Sequence, residues 1–433
     1  MRKHWRRLVS SCMPFSFVHA ADLHLGSPFE GLSIRQPEIA DKLSLASRSA
    51  FVALVDEALA RKVNFFLIAG DVYDGAWRDT SIGLFFHREV SRLVRGKIPV
   101  YTVRGNHDAD SVLIKSIRPP DGLFEFPSAA ASSQTLPDLK VIIHGRSFPT
   151  PAVGADFVQS YIAPRAGWFN IGLLHTACEP DPSTPYAPCS LHDLVSKGYQ
   201  YWALGHVHAY AELHADPHVV FPGNLQGRGI HECDSKGALL VQVDDGVVRT
   251  ERLLVDHARW LELQVDLENV ASEDALHDVL RDHLNVHLRP HIAEAGDRPL
   301  LVRLVLRGTT SLHGRLRANT LHWQTEAQSA LHEFGEDVWI EQLKIKTTAP
   351  VRVQAQGEAH SADALGLHFA LEAMALSEDM VGIAKEYMQE LTRKLPAGCV
   401  RDEFLVSFDA ASMVAEARDL LGHRLYVGDG DAI

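Results

Sequence analysis

Five short polar motifs interrupt the apolar runs in the first half of a 433-residue chain. Asp22-Leu23-His24, Gly70-Asp71-Val72-Tyr73-Asp74, Gly105-Asn106-His107-Asp108, His175 and Gly205-His206-Val207-His208 each follow a stretch that reads as a buried strand. In extended backbone, residues two apart point to the same side, so Asp22 with His24, and His206 with His208, can each aim two side chains at one point. Carboxylates, imidazoles and one amide oxygen form a mixed nitrogen and oxygen set that suits manganese, iron or zinc better than calcium or an all-thiolate site. Asp22, His24, Asp71, Asn106, His175, His206 and His208 together exceed what one ion needs. Two divalent ions sharing Asp71 as a bridge is the economical arrangement. Two such ions about 3.5 to 4 Å apart can deprotonate a bridging water and clamp a phosphoryl group during in-line displacement. His107 then stands outside the ligand set, and its ring can protonate the leaving oxygen, with Asp108 available to orient it. Gly70, Gly105 and Gly205 permit sharp turns beside the ions. Each piece alone has a bland reading, and Asp74 reads as a helix cap or a loop hydrogen-bonding residue. The ordered series is what carries the chemistry.

The elements that must position these residues can be read from apolar periodicity. Phe17 to Ala21, Phe65 to Ala69, Val100 to Val103, Lys140 to His144, Phe169 to Leu174 and Tyr201 to Leu204 predict strands, and Lys42 to Lys62 predicts a helix through Phe51, Leu54, Val55 and Ala58. Alternation of strand, loop and helix predicts a layered α/β domain over residues 15–257, with its loops grouped at the strand ends where such sheets place ligands. Pro- and Gly-rich stretches at 118–138 and 179–190 read as loops, and Val219 to Val248 as closing hairpins. Residues 258–350 read as a βαβαβ unit, with strands near 260–265, 300–307 and 338–345 and helices near 274–288 and 312–334. A linker at 347–358 leads to helical patterns over 362–395 and 410–421, within a last region of 351–433.

Composition sets outer limits. The 42 Lys and Arg against 55 Asp and Glu give a net charge of −13, which argues against holding nucleic acid by bulk positive charge. Bound cations can still reverse the field of an acidic pocket. Histidine is abundant at 24 copies, most of them read as scattered surface residues. Five cysteines without a CxxC pair suggest neither a zinc knuckle nor a disulfide framework, and fit a reducing cytoplasm. Residues 1–14 read as a basic leader from a mis-called start, too interrupted for a signal peptide. No stretch approaches 18 uninterrupted apolar residues, so no membrane span is expected.

The motifs D-x-H, G-D-x-x-D, G-N-H-D, H and G-H-x-H, in this order over residues 16–210, resemble the calcineurin-like metallophosphoesterases. That superfamily includes phosphoprotein phosphatases, nucleotidases, cyclic-nucleotide phosphodiesterases and nucleases. Phe17-Val-His-Ala-Ala-Asp-Leu-His-Leu-Gly-Ser-Pro-Phe29, His144-Gly-Arg-Ser-Phe148 and Phe221-Pro-Gly-Asn-Leu-Gln-Gly-Arg228 are similar to the bacterial DNA repair exonuclease branch of SbcD and YhaO type, the YhaO type more closely. The resemblance implies a four-layer α/β/β/α sandwich with a small α/β capping domain and C-terminal helices. It implies two manganese ions, with iron, zinc or magnesium as alternatives. Asp22, His24, Asp71 and His208 would surround one, and Asp71, Asn106, His175 and His206 the other. His107, paired with Asp108, would assist the leaving group.

Archaeal and eukaryotic relatives carry a second catalytic histidine where this chain has Asp74, so a second histidine acid is not implied. The usual GSP-type turn is here Pro222-Gly-Asn-Leu225. Partners implied are DNA, an SMC-like coiled-coil ATPase and a second copy of the chain. The expected activity is metal-dependent hydrolysis of DNA phosphodiesters, as an exonuclease. ATP would be consumed by the partner, since the chain has no GxxxxGK[ST] segment. The alternative is a metallophosphatase or phosphodiesterase acting on a small molecule or phosphoprotein; a non-catalytic scaffold is disfavoured by the complete ligand set. Arg104 and Arg228 are candidates for phosphate contact, and Arg146, Arg165, Lys197, Lys236 and Arg315 are among the candidates for basic rims.

Overall fold

A computed structural model describes residues 13–27, 39, 43–74, 80–109, 120–178, 185–350, 377–394 and part of 409–421. The chain divides into two compact units at Trp260 and Leu261. In order, the first contains β1 (Phe15–Ala20), α1 (Ala46–Arg61), β2 (Phe65–Ile68), α2 (Thr80–Arg95), β3 (Val100–Thr102), the single-turn α3 (Asn106–Ala109), β4 (Leu123–Glu125), β5 (Ser132–Leu136), β6 (Val141–Gly145) and β7 (Phe169–His175). It continues through α4 (Leu191–Ser196), β8 (Tyr201–Gly205), β9 (Ala211–Ala215), β10 (His218–Phe221), β11 (Gly237–Asp244) and β12 (Val247–Leu254).

These strands form two six-stranded sheets, in the orders β12-β11-β1-β2-β3-β4 and β5-β6-β7-β8-β10-β9. Strand alternation explains why they stack. Phe15 and Phe17 of β1 and Phe65 of β2 face inward and meet Phe169, Ile171 and Tyr201 of the second sheet in one buried cluster. Phe17 stacks on Phe65 at 4.7 Å between ring centroids. The intervening Val18, Phe66 and Ile68 face outward against Phe51, Leu54 and Val55 of α1 and Phe86 and Val90 of α2. The outer face of the second sheet buries Trp202, Leu204 and Val219 against Phe148, Phe157 and Leu194. The fold is thus the layered α/β/β/α sandwich, with its fourth layer built more from loop than from helix.

Two expectations need correction. The stretch at 118–138 is not all loop, because β4 and β5 lie in it. They are short, partly exposed edge strands, and Ser132 to Thr135 lacks the apolar run that marks a buried strand. The closing segment begins before Val219: β9 and β10 form one antiparallel hairpin, and β11 and β12 a second, which pairs antiparallel with β1.

The second unit has β13 (Arg259–Asp266), whose first two residues belong to the first unit, α5 (Glu273–His287), α6 (Arg289–Ala295), β14 (Leu300–Thr309), α7 (His313–Ala318), α8 (Thr320–His332), β15 (Val338–Thr348) and α9 (Glu378–Lys394). Its sheet order is β13-β14-β15, with β14 and β15 parallel. Leu276, Leu280 and Leu284 of α5 and Trp323, Ala327 and Leu331 of α8 pack on Leu263, Val302, Leu304 and Ile340. Of the helices expected over 362–395 and 410–421, residues 378–394 are described as helix, with partial helix from 410. The rest of those segments lies outside the described residues, as do residues 1–12 of the basic leader. No helix among the described residues is long and apolar enough to cross a membrane.

Candidate metal centre

The ends of β1 and β2 set the backbone of the centre. Beyond them, Asp22 N donates to Gly70 O at 3.0 Å, His24 N to Asp71 O at 3.1 Å and Leu25 N to Val72 O at 3.0 Å, so two loops run side by side. The backbone there is not extended. Asp22, His24, Asp71 and His206 have φ of 51°, 41°, 52° and 109°, a region that non-glycine residues occupy at a cost of about 1–3 kcal/mol each. Asp22 and His24 therefore converge through left-handed turns, not through the strand alternation expected of them. The three motif glycines also divide. Gly70 supplies a turn at φ 93°. Gly105 and Gly205 instead supply clearance, since a Cβ would sit 2.2 Å from Asp71 Oδ1 at the first and 2.0 Å from Ala69 O at the second.

The ligand candidates meet in two adjoining groups, and His24, Asp74 and His107 form a third beside them. Asp22, His24 and His208 hold ligating atoms within 4.8 Å of one another, and so do Asp22, Asp71 and His175. His24 Nε2 lies 3.1 Å from His208 Nε2, and His208 Nε2 lies 3.9 Å from Asp22 Oδ1. Asp71 Oδ2 lies between the groups, 4.0 Å from His24 Nε2 and 3.5 Å from His175 Nε2. Asn106 Oδ1 is 2.9 Å from His175 Nε2. The His206 ring centroid is 5.2 Å from that of His175 and 4.4 Å from that of Tyr186.

This set fits divalent cations. His175 Nδ1 donates to Ala69 O at 2.9 Å, which leaves Nε2 as a lone pair facing the Asn106 amide oxygen and the Asp71 carboxylate. Three acceptors turned toward one another repel unless a positive charge sits among them. Burial pushes His24, His175 and His206 down to about 3, so each ring is neutral and able to ligate. Burial, with Asp71 nearby, raises Asp22 well above the usual carboxylate range, and burial pushes Asp71 up to about 6. Cations would relieve both strains at once.

His107 has a different partner from the one expected. Its Nδ1 lies 3.0 Å from Asp74 Oδ1, while Asp108 turns under the loop and accepts from Tyr73 N at 3.0 Å and from Val72 N and Gly105 N at 3.2 Å. On a helical turn, successive residues do not share a face, so Asp108 cannot orient the ring beside it. Asp74 takes that place, and also accepts from Ser27 Oγ at 2.7 Å. The Asp74 bond and the charges of Asp71 and Asp74 raise the His107 pKa against the opposing effect of burial. Burial alone would raise Asp74, but bonds from His107, His24 and Ser27 hold it well below its ordinary range.

The other candidates divide as well. Arg228 reaches the centre, with Nη1 3.9 Å from Asp74 Oδ2. Arg104 faces Glu125 at 3.2 Å. Several expected rim cations have structural partners: Lys236 Nζ donates to His208 O at 2.9 Å, Lys197 Nζ to Val158 O at 2.9 Å, and Arg146 lies over Phe157 at 4.0 Å. Glu232 was missed by sequence reasoning. Its Oε1 is 2.7 Å from His208 Nδ1, and it clamps Arg228. The only signal was its spacing of four from Arg228, which reads as an ordinary ion pair. The unusual Pro222 turn also finds a role: Gly223, at φ 81°, lies so close to His208 O that a Cβ would be 2.9 Å away, and Asn224 N donates to the same oxygen at 3.3 Å.

A sandwich with this centre at its strand ends is the architecture of a dimetal phosphoesterase, and sequence comparison agrees. Residues 15–210 match the calcineurin-like phosphoesterase family, and residues 260–348 match the middle domain of metallophosphoesterase YhaO. The chain belongs to the calcineurin-like metallophosphoesterases, which are metal-dependent phosphoester hydrolases. It is 33% identical over 299 residues to the uncharacterized metallophosphoesterase YhaO of Bacillus subtilis, covering 68% of this chain and 72% of that protein. It is also 23% identical over 279 residues to the DNA double-strand break repair protein Mre11 of Thermoplasma acidophilum, covering 59% and 70%. For the Mre11 of Aeropyrum pernix the identity is 26% over 276 residues, covering 58% and 63%.

Proposed function

We propose that the chain hydrolyses phosphodiester bonds in DNA, as the nuclease subunit of a repair complex. The observation that carries the reaction type is the placement of His107. Its ring lies 5.0 Å from that of His24, its Nδ1 is committed to Asp74, and its side chain is 40% exposed, so Nε2 is open to a leaving oxygen at the edge of the acidic centre. Asp22, His24, Asp71 and His208 would hold one cation; Asp71, Asn106, His175 and His206 would hold the other. Manganese suits this donor set. When bound, the two cations supply Lewis acidity and a nucleophile at neutral pH. His107 then delivers a proton to the departing oxygen, Asp74 keeps its ring oriented, and Arg228 contacts a phosphoryl oxygen.

DNA as substrate is supported by the double-strand break repair proteins among the relatives. The second unit would act as a cap. On α9, Ile383 and Tyr387, one helical turn apart, are 56% and 67% exposed, which suits docking of a coiled-coil ATPase. A homodimer and a cytoplasmic site of action belong to the same reading. The test is purified protein with manganese, offered linear duplex DNA, single-stranded DNA and p-nitrophenyl phosphate. DNA cleavage that requires metal is the expected result. Turnover of the monoester with DNA untouched, even with the ATPase added, would assign the chain to the phosphatases instead.

A further inference from the structure

Three segments meet at the Glu232 carboxylate, which lies outside all five motifs. Oε1 is 2.7 Å from His208 Nδ1 and accepts from Arg228 Nη2 at 2.8 Å; Oε2 accepts from Arg228 N and from Asn224 Nδ2, both at 2.8 Å. An ionised carboxylate only accepts, so the ring nitrogen that faces it carries the proton and Nε2 presents a lone pair toward His24 and Asp22. Arg228 Nη2 also lies 3.3 Å from His208 Nδ1, but both atoms are donors there, and their shorter contacts to Oε1 decide the arrangement. Arg228 is bound to Glu232 through Nε at 3.1 Å and through Nη2, and this turns its remaining edge, Nη1, toward Asp74 and the centre.

The geometry points to Glu232 as a positioning residue that couples the two ends of the site. It sets the His208 ring for a cation and aims the Arg228 guanidinium at the phosphoryl oxygens. The arginine half rests on the phosphoester reading proposed above; the histidine half does not. A residue that only neutralised Arg228 would have no reason to hold a ligand ring as well. Arg228 is fixed through one edge before substrate arrives, so less rotamer freedom is lost on binding.

Manganese titration into the substrate-free full chain, followed by kinetics on bis(p-nitrophenyl) phosphate, separates the two halves. Glu232→Gln should weaken metal binding about 10- to 100-fold and raise KM, as loss of an outer partner does for a ligating histidine. Arg228→Ala should raise KM about tenfold or more, the loss expected of a charged hydrogen bond, with metal affinity at the wild-type level. A Glu232→Gln protein that melts like wild type and binds manganese as tightly would overturn the proposal. So would equal weakening of metal binding by Arg228→Ala, since the effect would then run through the guanidinium. Should Glu232→Gln not fold, Asn224→Ala loosens the same carboxylate, and unchanged metal affinity there is equally fatal. If the metal results hold while the wild type turns over no phosphoester, the arginine half fails and the histidine half stands.

Discussion

The two units handle backbone and charge in opposite ways. In the first, Asp22, His24, Asp71 and His206 occupy positive φ, and the buried carboxylates of Asp22, Asp71 and Asp108 crowd together. In the second, Asn269 is the only non-glycine residue at positive φ among the described residues. Two of its helices, α5 and α8, are conventionally capped, by Ser272 Oγ accepting from Ala275 N and Asn319 Oδ1 from His322 N. Its buried charges, Arg303 and Glu341, are matched in a two-point ion pair at 2.7 and 2.9 Å. Positive φ also occurs in the first unit outside the motifs, as at Lys62, Lys97 and Lys140, so what marks the centre is four such residues beside crowded buried carboxylates, a combination that the described residues of the second unit do not show.

The sharpest way to break this contrast is to separate metal holding from proton delivery inside the first unit. Asp71→Ala should abolish metal binding and take activity to background. His107→Ala should keep the metals and lower kcat on DNA by about 10²- to 10⁴-fold. The loss should shrink on p-nitrophenyl esters, whose leaving group needs no acid. Metal titration and turnover on both substrates measure this. Equal metal loss in the two variants would show that His107 is a ligand after all. In the second unit, Leu304→Ala removes a fully buried side chain from the core against α5 and α8. It should cost that unit about 2–5 kcal/mol in urea denaturation. Manganese affinity should stay unchanged; a weakened metal site would mean that the units are not independent.

The sandwich and the ligand candidates were legible because both rest on local signals. Buried strands show as apolar runs, and polar residues directly after them stand out. The roles of Asp108, Asp74 and Glu232 were not legible. His107 and Asp108 are adjacent in sequence, but the single turn of α3 points them apart. Asp74 and Glu232 act on rings delivered by other loops, His107 and His208, and no spacing rule connects such segments. The strands β4 and β5 were missed for a different reason, since a polar edge strand is defined by its neighbour more than by its own residues. Convergence of Asp22 with His24 was expected from strand alternation, yet it arises from left-handed turns that the sequence pattern does not display.

The smallest expected effect distinguishes the units by acid. His19 is fully buried under the first sheet, its Nε2 donating to Leu204 O at 3.0 Å and its Nδ1 accepting from Tyr201 Oη at 2.9 Å. Burial pushes it down to about 3. Once unfolded, the ring takes a proton from about pH 6.5 downward. Between those values the unfolded chain binds the extra proton, so stability falls as pH falls, by roughly 1.4 kcal/mol per pH unit for one group. His144, pushed by burial down to about 4, acts in the same direction. The raised carboxylates of Asp22 and Asp71 act in the opposite direction, so the readout must isolate one histidine. His19→Gln should flatten the acid limb of first-unit stability by about one proton, while the wild-type second unit, whose His283 is lowered but partly exposed, should show a shallower limb throughout. Urea midpoints between pH 4.5 and 7.5, followed unit by unit with hydrogen exchange, measure both slopes. An unchanged slope in His19→Gln would mean that the ring is already protonated in the folded state, and that the acid lability of the first unit comes from His144 and the buried imidazoles His24, His175 and His206.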